Sequence, residues 1–510
     1  MAIPKMKIQM GRIRGLNQSL DDNLLNMSYS ADCQNMDVSE GILSTRKGSS
    51  PLMGTDIDPE FVDIGKIKTI LKFSRTSQDV YIVGTISGIT ERWYSRNSTG
   101  WDLITTDGTT PATAIKPGDV RSIMCEISGE AVLIMVSPGA APQKINILED
   151  NTMRMTALGG TPQIASDITF HRDRVWIVES NAASIPTNTV HYSNAFDPED
   201  WTTAGDTGEI KVMSGDNDYI IGIANLLDDV VIFKRNTMWK VIGDVPSEYQ
   251  LQQIYAVQGT PHKESICTDG NYCFFAGTDG IYQYDGTTAT PILTDEIKDI
   301  YAGIKNVKCL LNNSKLYIWD KYVSTSAGKH IIYDIAKKQI EVLYIPNVLD
   351  ANLTGDIVVY SSDYIIGYTA LTCLFCKLDD TKTVLNAGLT DSSGGIPAIN
   401  LEQTITAYWV TPETDFNMPN ASKTLTDIYF IGWGTTSAGA AGGQVKITVY
   451  YNQNGTQKTK EKTVTLQTTR KVHDIQLNVS GRLFKFKIEN VAGSAINLSD
   501  VEFINEVDED

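Results

Sequence analysis

Short runs of Val, Ile, Tyr, Phe and Trp recur along most of this chain. Each is closed by Gly, Asn, Asp or Ser-Gly, and no long amphipathic helical pattern interrupts them. Val80-Tyr81-Ile82-Val83, Ala131 to Val136, Arg174 to Val178, Val230 to Phe233, Tyr272 to Ala276, Lys315 to Trp319 and Ile357 to Tyr360 each follow another apolar run across a polar turn. The preceding runs open at Ile67, Val120, Ile168, Ile220, Ser265, Val307 and Leu349, a spacing of about 40 to 55 residues. That is the period of a four-stranded unit. Such a unit cannot bury both of its faces alone, so the units must stack around an axis. The pattern predicts an all-β fold with a β-propeller of roughly seven blades over residues 63–385. The units share a pattern but no wording: neither a Gly-His…Trp-Asp nor a double-Gly signature recurs. Two β-sandwiches in tandem would also space short strands evenly and stand as the alternative.

The flanks read differently. Residues 1–62 hold few strand signals and are expected to be an extended segment, with Leu16 to Leu25 and Tyr29 to Met36 each able to form a helical turn. Residues 386–400 are rich in Gly and Ser and read as a linker. In 401–510, Lys485 and Lys487 alternate with Phe484, Phe486 and Ile488, the period of a strand with one wet face. Asn454-Gly455 is a hairpin turn signal. This last stretch is expected to fold separately as a C-terminal β-sandwich with a frayed acidic end, a division that suits 510 residues.

The formal charge is −18 and the pI about 4.8, so a role that neutralises DNA phosphates is disfavoured. No secretion signal opens the chain and no apolar stretch is long enough to span a bilayer, which implies synthesis in a cytosol without membrane insertion. Seven cysteines, an odd number, read as buried thiols rather than a disulfide framework.

Chemistry-bearing patterns are sparse. His171, His191, His262, His330 and His473 form no metal-ligand spacing. Cys373-Leu374-Phe375-Cys376 lies in an apolar strand-like run and reads as packing. Cys267 and Cys273 flank a turn and are placed to face each other across a hairpin. Ser214 to Asp218 is an aspartate-rich turn without a calcium-loop pattern, and Ser437 to Gly443 is a glycine-rich hairpin loop. Phosphate-binding loops, a nucleophile elbow and sialidase turns are all missing. No catalytic, cofactor-binding or metal-binding residue is assigned, and no cofactor is expected. Any binding residues are left unassigned.

Two stretches carry a resemblance. The first runs through Gly15-Leu16-Asn17, Asn35-Met36-Asp37, Gly41-Ile42-Leu43 and Arg46-Lys47-Gly48. The second is Phe170-His171-Arg172-Asp173-Arg174-Val175-Trp176, then His191-Tyr192-Ser193 and Asp197-Pro198-Glu199-Asp200-Trp201, with Gly280 to Gly286 as a further phrase. Together they resemble the tail nozzle and head-to-tail stabilisation proteins of bacteriophages. The resemblance implies a structural, non-enzymatic virion protein made in the host cytoplasm. It implies a homo-oligomer, commonly hexameric, below a portal or adaptor ring and in contact with tail fibres or other tail proteins. Duplex DNA would pass through without sequence-specific binding, and an acidic wall would keep it sliding. A tail-tip receptor- or glycan-binding protein, or a tail-borne glycosidase, are the competing readings.

Overall fold

Strand after strand forms where β-branched and aromatic residues cluster, and tight turns follow where Gly, Asn and Asp punctuate them. The computed structural model describes residues 5–507 except 22–23, 47, 52–65, 75–78, 88–89, 97–100, 148–151, 182, 184, 214–216, 256–257, 313, 321–328, 345–357, 361–364, 370–372, 380–383, 386–389, 392–398, 401–402 and 454. The chain is all-β, with a single four-residue α-helix, Lys298–Tyr301, among the described residues.

Seven four-stranded antiparallel sheets follow one another among these residues. They open with strands Lys66–Ser74, Arg121–Ile127, Ala165–His171, Ile220–Leu226, Cys267–Thr268, Val307–Asn312 and Val358–Tyr360. Six of the seven expected openings lie within three residues of these starts; Leu349 falls outside the described residues. Sheets one to six are simple meanders. The seventh takes Val358–Tyr360, Ile365–Thr369 and Cys373–Asp379 and is completed by Gly48–Pro51 from the other end of the chain, paired Leu378 to Ser49.

The second strands of the second, third and fourth sheets explain the stacking. Along Glu130–Val136, Val132, Ile134 and Val136 pack with Ile168, Val175 and Ile177 of the third sheet. The alternate residues Leu133 and Met135 pack with Phe73, Ile82 and Trp93 of the first. The rule repeats: Trp176 and Val178 meet Ile223 and Ile232 of the fourth sheet, and Val231 and Phe233 meet Cys273 and Phe275 of the fifth. A strand covered on both faces reads as an unbroken apolar run, which is how these runs appear in the sequence.

The C-terminal region forms two larger sheets. One orders Lys471–Gly481, Lys423–Thr435, Ala495–Val507, Ile42–Thr45 and Met36–Ser39, with Lys5–Gln9 also paired to Ala495–Val507. The other orders Asp32–Gln34, Tyr408–Val410, Phe484–Asn490, Gln444–Gln453 and Thr456–Thr465. Their inner faces share a core in which the rings of Phe486 and Phe503 lie 4.3 Å apart and Phe416 is fully buried.

Residues 1–62 contribute short strands to sheets formed by other parts of the chain. Four of their strands belong to the C-terminal sheets and one to the seventh repeated sheet. Neither stretch expected to hold a helical turn does so among the described residues: Gly15–Leu16 pairs with Tyr29–Ser30, and Asp32–Gln34 is a strand. The physical reason is unsatisfied backbone. Strand edges in the C-terminal sheets offer free N–H and C=O groups, and this segment supplies their partners. Of the expected linker 386–400, the described Thr390–Asp391 and Ile399–Asn400 pair with each other, and the rest lies outside the described residues. The glycine-rich loop 437–443 is also not a hairpin loop: it carries the chain from one C-terminal sheet to the other.

Candidate functional site

Part of the second resembling stretch, Ser193 and Asp197 to Trp201, gathers in one corner between the second and third sheets, while His171, Arg172 and Trp176 turn toward the fourth sheet and Gly280 to Gly286 lies in the fifth. Arg174 leaves its strand and donates from Nη1 to the Ser193 carbonyl at 2.9 Å and to the Asp206 carbonyl. Ser193 Oγ accepts the Val175 N–H at 3.0 Å. Asn194 Nδ2 donates to Asp200 at 2.9 Å, Trp201 Nε1 donates to the Pro198 carbonyl at 2.9 Å, and Asp200 caps the N–H groups of Thr202 and Thr203. Glu199 reaches the neighbouring sheet, accepting from Gly159 N–H at 2.7 Å and from Lys144 at 2.9 Å. Burial opposes its charge, but Lys144 and that N–H outweigh burial and hold its carboxyl below the usual range. Trp176 lies beneath, its ring 5.0 Å from Tyr192.

A second polar centre joins the opening strands of sheets two to four and the segment that leads into the fifth. Asp167, wholly buried, follows a bulge in its strand, and bulges recur at Ile67/Thr69 and Ile220/Gly222 in two other opening strands. Its carboxylate accepts from Arg121 Nε at 2.9 Å and from the Ile223 N–H of the next sheet at 2.9 Å. Lys263 donates to the Ser166 carbonyl at 3.0 Å and pairs with Asp119 at 2.6 Å. Burial works against the Arg121 charge, and Asp167 more than offsets it, leaving the guanidinium pKa above its ordinary value. The groups satisfy one another, so the arrangement clamps four sheets together. The sequence around it, Ala165-Ser166-Asp167-Ile168-Thr169-Phe170, is half polar and gives Asp167 no mark of burial.

The first resembling stretch lies at a seam between the sixth sheet and the C-terminal pair. Asn35 donates from its backbone to the Val342 carbonyl and from Nδ2 to the Thr406 carbonyl, both at 2.8 Å. Lys329 pairs with Asp32 at 2.9 Å, which also accepts from the Tyr408 hydroxyl. Glu341 sits 3.6 Å from Lys315 and shares a hydrogen bond with Asp37. Burial first, then the Asp37 charge, raises its carboxyl to about 8. His330, fully buried and stacked on Trp319, is pushed down to about 3 by burial and the Arg46 cation.

The remaining candidates stay apart. His171 lies 3.2 Å from the Asp228 carbonyl, His191 is 3.6 Å from Glu179, burial lowers the pKa of His262, and His473 stacks on Phe430. Among the described residues no group of three or more His, Cys, Asp or Glu is arranged to hold a metal ion. Cys267 pairs with Phe274 and Cys273 with Thr268, so the two cysteines sit one register step apart; both thiols are free. Burial pushes Cys267 up to about 12 and Cys273 well above its ordinary value. Cys373 and Cys376 lie on the strand Cys373–Asp379, outside the described side chains. Asp218 accepts from the Arg235 N–H at 2.9 Å, which closes a turn; Ser214 to Asp216 fall outside the described residues. A groove of about 500 Å³ on the C-terminal sheets is lined by Arg12, Arg470, Glu40 and Asp500. No helix among the described residues is long and apolar enough to cross a membrane.

No family model matches the chain, and no curated protein matches it. Solved structures do. The extracellular domain of a hybrid two-component system from B. thetaiotaomicron aligns at 11% identity and a TM-score of 0.38, over 65% of this chain and 40% of that one. The AfRom2 CNH domain aligns at 10% identity and a TM-score of 0.39, over 65% of this chain and 99% of that one. Neither description names a phage tail protein.

Proposed function

We propose that this chain is a structural, non-catalytic component of a bacteriophage tail, a nozzle protein that assembles as a ring below a portal or adaptor and conducts DNA on ejection. The observation that carries the reading is where the resembling residues fall. Both stretches hold residues at joints between modules, Glu199 joining the second and third sheets and Asn35 sealing the sixth sheet to the C-terminal pair. A tube wall needs rigid joints more than it needs a reaction centre. We further infer that the seven sheets are the blades of one closed propeller. The first strand of the first sheet lies against the seventh sheet, and Gly48–Pro51 ties the seventh sheet to the distant N-terminal region, both of which favour closure. The two C-terminal sheets act as a β-sandwich that carries contacts to other tail proteins. The −18 charge favours a conduit that DNA leaves without sticking.

The test is location. Intact virions, labelled through an epitope on this chain and imaged by electron microscopy, are expected to show the label on a ring at the portal vertex. Label confined to the tail tip, or absent from particles, overturns the reading.

A further inference from the structure

In an antiparallel four-stranded meander the first and third turns emerge at the same end, so one rim of sheets three to five collects them. Hydrogen bonds join these turns into a continuous surface. Phe196 N–H donates to the Asp173 carbonyl, Arg172 bridges Asp228 and Asp244, and Leu227 N–H donates to the Gly270 carbonyl. Large apolar side chains stand on it in the open. Phe196 is 81% exposed, Leu227 56% and Tyr272 41%. Phe196 is also held at φ +62°, a left-handed conformation that is strained for a non-glycine residue. An exposed ring in a strained backbone gives the isolated chain nothing, and such outliers cluster where a surface is used.

The charge around it is one-sided. Asp228 is 88% exposed and Asp244 71%, Asp269 stands beside Tyr272, and Arg172 is the cation between the first two. Elsewhere on the same chain lies a surface of opposite character. Thr456–Thr465 is the outer strand of its sheet, exposed along most of its length; Lys458 and Lys462 stand exposed on one of its faces, and Lys460 between them donates to the Leu477 carbonyl. Lysines on an unpaired edge discourage indiscriminate strand pairing while leaving a cationic stripe for a matched partner.

We propose that the acidic rim of sheets three to five, with Phe196 at its third-sheet end, seats a second copy of this chain through that copy's lysine-bearing strand 456–465. The inference rests on the oligomeric part of the tail reading. Two different patches make the contact head-to-tail, the kind that closes into rings. Apolar anchors supply the affinity and the charges set orientation and rate.

Sedimentation velocity on the full chain tests it. The wild type is expected to assemble at low salt and to weaken as salt rises. Phe196→Asp is expected to leave monomer, as is the pair Lys458→Glu with Lys462→Glu, whose exposed positions leave the core untouched. Asp228→Lys alone is also expected to dissociate. Mixing Asp228→Lys with the double glutamate variant is expected to restore assembly, because each rim again meets an opposite charge. A wild type that stays monomeric at on the order of 100 micromolar overturns the proposal. So does an oligomer that ignores Phe196→Asp and the glutamate pair while circular dichroism shows native strands. A ring found at the portal vertex but indifferent to these variants removes this interface and leaves the tail reading standing.

Discussion

The repeated sheets and the C-terminal pair use the same backbone element to solve opposite packing problems. In Arg174–Ser180 five consecutive residues are buried, because a neighbouring sheet lies against each face. In Phe484–Asn490 burial alternates strictly, because one face meets the partner sheet and the other is wetter. The first pattern spreads the core over many thin interfaces between neighbours. The second concentrates it in one slab around Phe416, Phe486 and Phe503. The repeated region thus depends on every joint in a series, and the C-terminal region depends on a complete set of strands.

That difference is broken most forcefully by truncation. A fragment of residues 401–510 lacks Lys5–Gln9, Asp32–Gln34, Met36–Ser39 and Ile42–Thr45, and with them Met36, Val38 and Leu43 of the shared core. It is expected to remain largely unfolded by circular dichroism, and to gain strand signal when a 1–46 peptide is added. A fragment that folds alone with native stability would show that the C-terminal slab is complete without the N-terminal strands.

In the repeated region the sharpest single test is Asp167→Ala. It strands the Arg121 guanidinium and the Ile223 N–H together, and breaking one partner of a buried pair costs about 3–5 kcal/mol. Denaturant unfolding should register that loss. Arg121→Met with Asp167→Leu in the same chain is expected to recover part of it, since the stranded guanidinium is removed and only the Ile223 N–H is left without its acceptor.

Much of this contrast was legible in the sequence. Unbroken apolar runs marked the repeated sheets, and the alternation of Lys485 and Lys487 with phenylalanine marked the other region. What could not be read was partnership at a distance. Nothing in Gly48-Ser49-Ser50-Pro51 announces that it pairs with Cys373–Asp379, because ladder hydrogen bonds are made by backbone and carry no side-chain signature. Asp167 was similarly silent. Ser166 and Thr169 beside it make its strand look half-solvated, and its partner Arg121 lies in another sheet. The histidines failed for the converse reason: they are conspicuous in sequence and scattered in space.

The seam between the two regions carries a pH test. Glu341 has a folded-state pKa raised to about 8, so it binds its proton more tightly folded than unfolded. Its contribution is complete at low pH and is lost as pH rises from its ordinary value of 4.5 through 8. His330 has a folded-state pKa lowered to about 3, so it contributes above its ordinary 6.5 and loses that contribution as pH falls toward 3. The two together place the seam's best stability between these slopes. Denaturation midpoints measured from pH 4 to 9 are expected to decline on the alkaline side in wild type and to flatten there in Glu341→Gln. An unchanged alkaline slope in that variant would move the titrating group elsewhere.

The smallest effect separates two glycines with nearly the same backbone. Gly160, at φ +71°, lies at the corner of the repeated sheets, and Gly455, at φ +78°, turns the hairpin between Gln444–Gln453 and Thr456–Thr465. A Cβ at Gly160 would collide with the Glu199 carbonyl, whereas a Cβ at Gly455 would meet nothing within 4 Å. Gly455→Ala therefore pays only for the left-handed backbone, about 1 kcal/mol. Its effect should be confined to the outer strand and appear as faster amide exchange across 456–465. Gly160→Ala carries the same backbone penalty plus a clash that a packed corner relaxes poorly, and is expected to lower the thermal midpoint further. If the two variants proved equally mild by calorimetry, the corner would be yielding rather than rigid, and the picture of the repeated sheets as a series of stiff joints would fail at the joint where it is most specific.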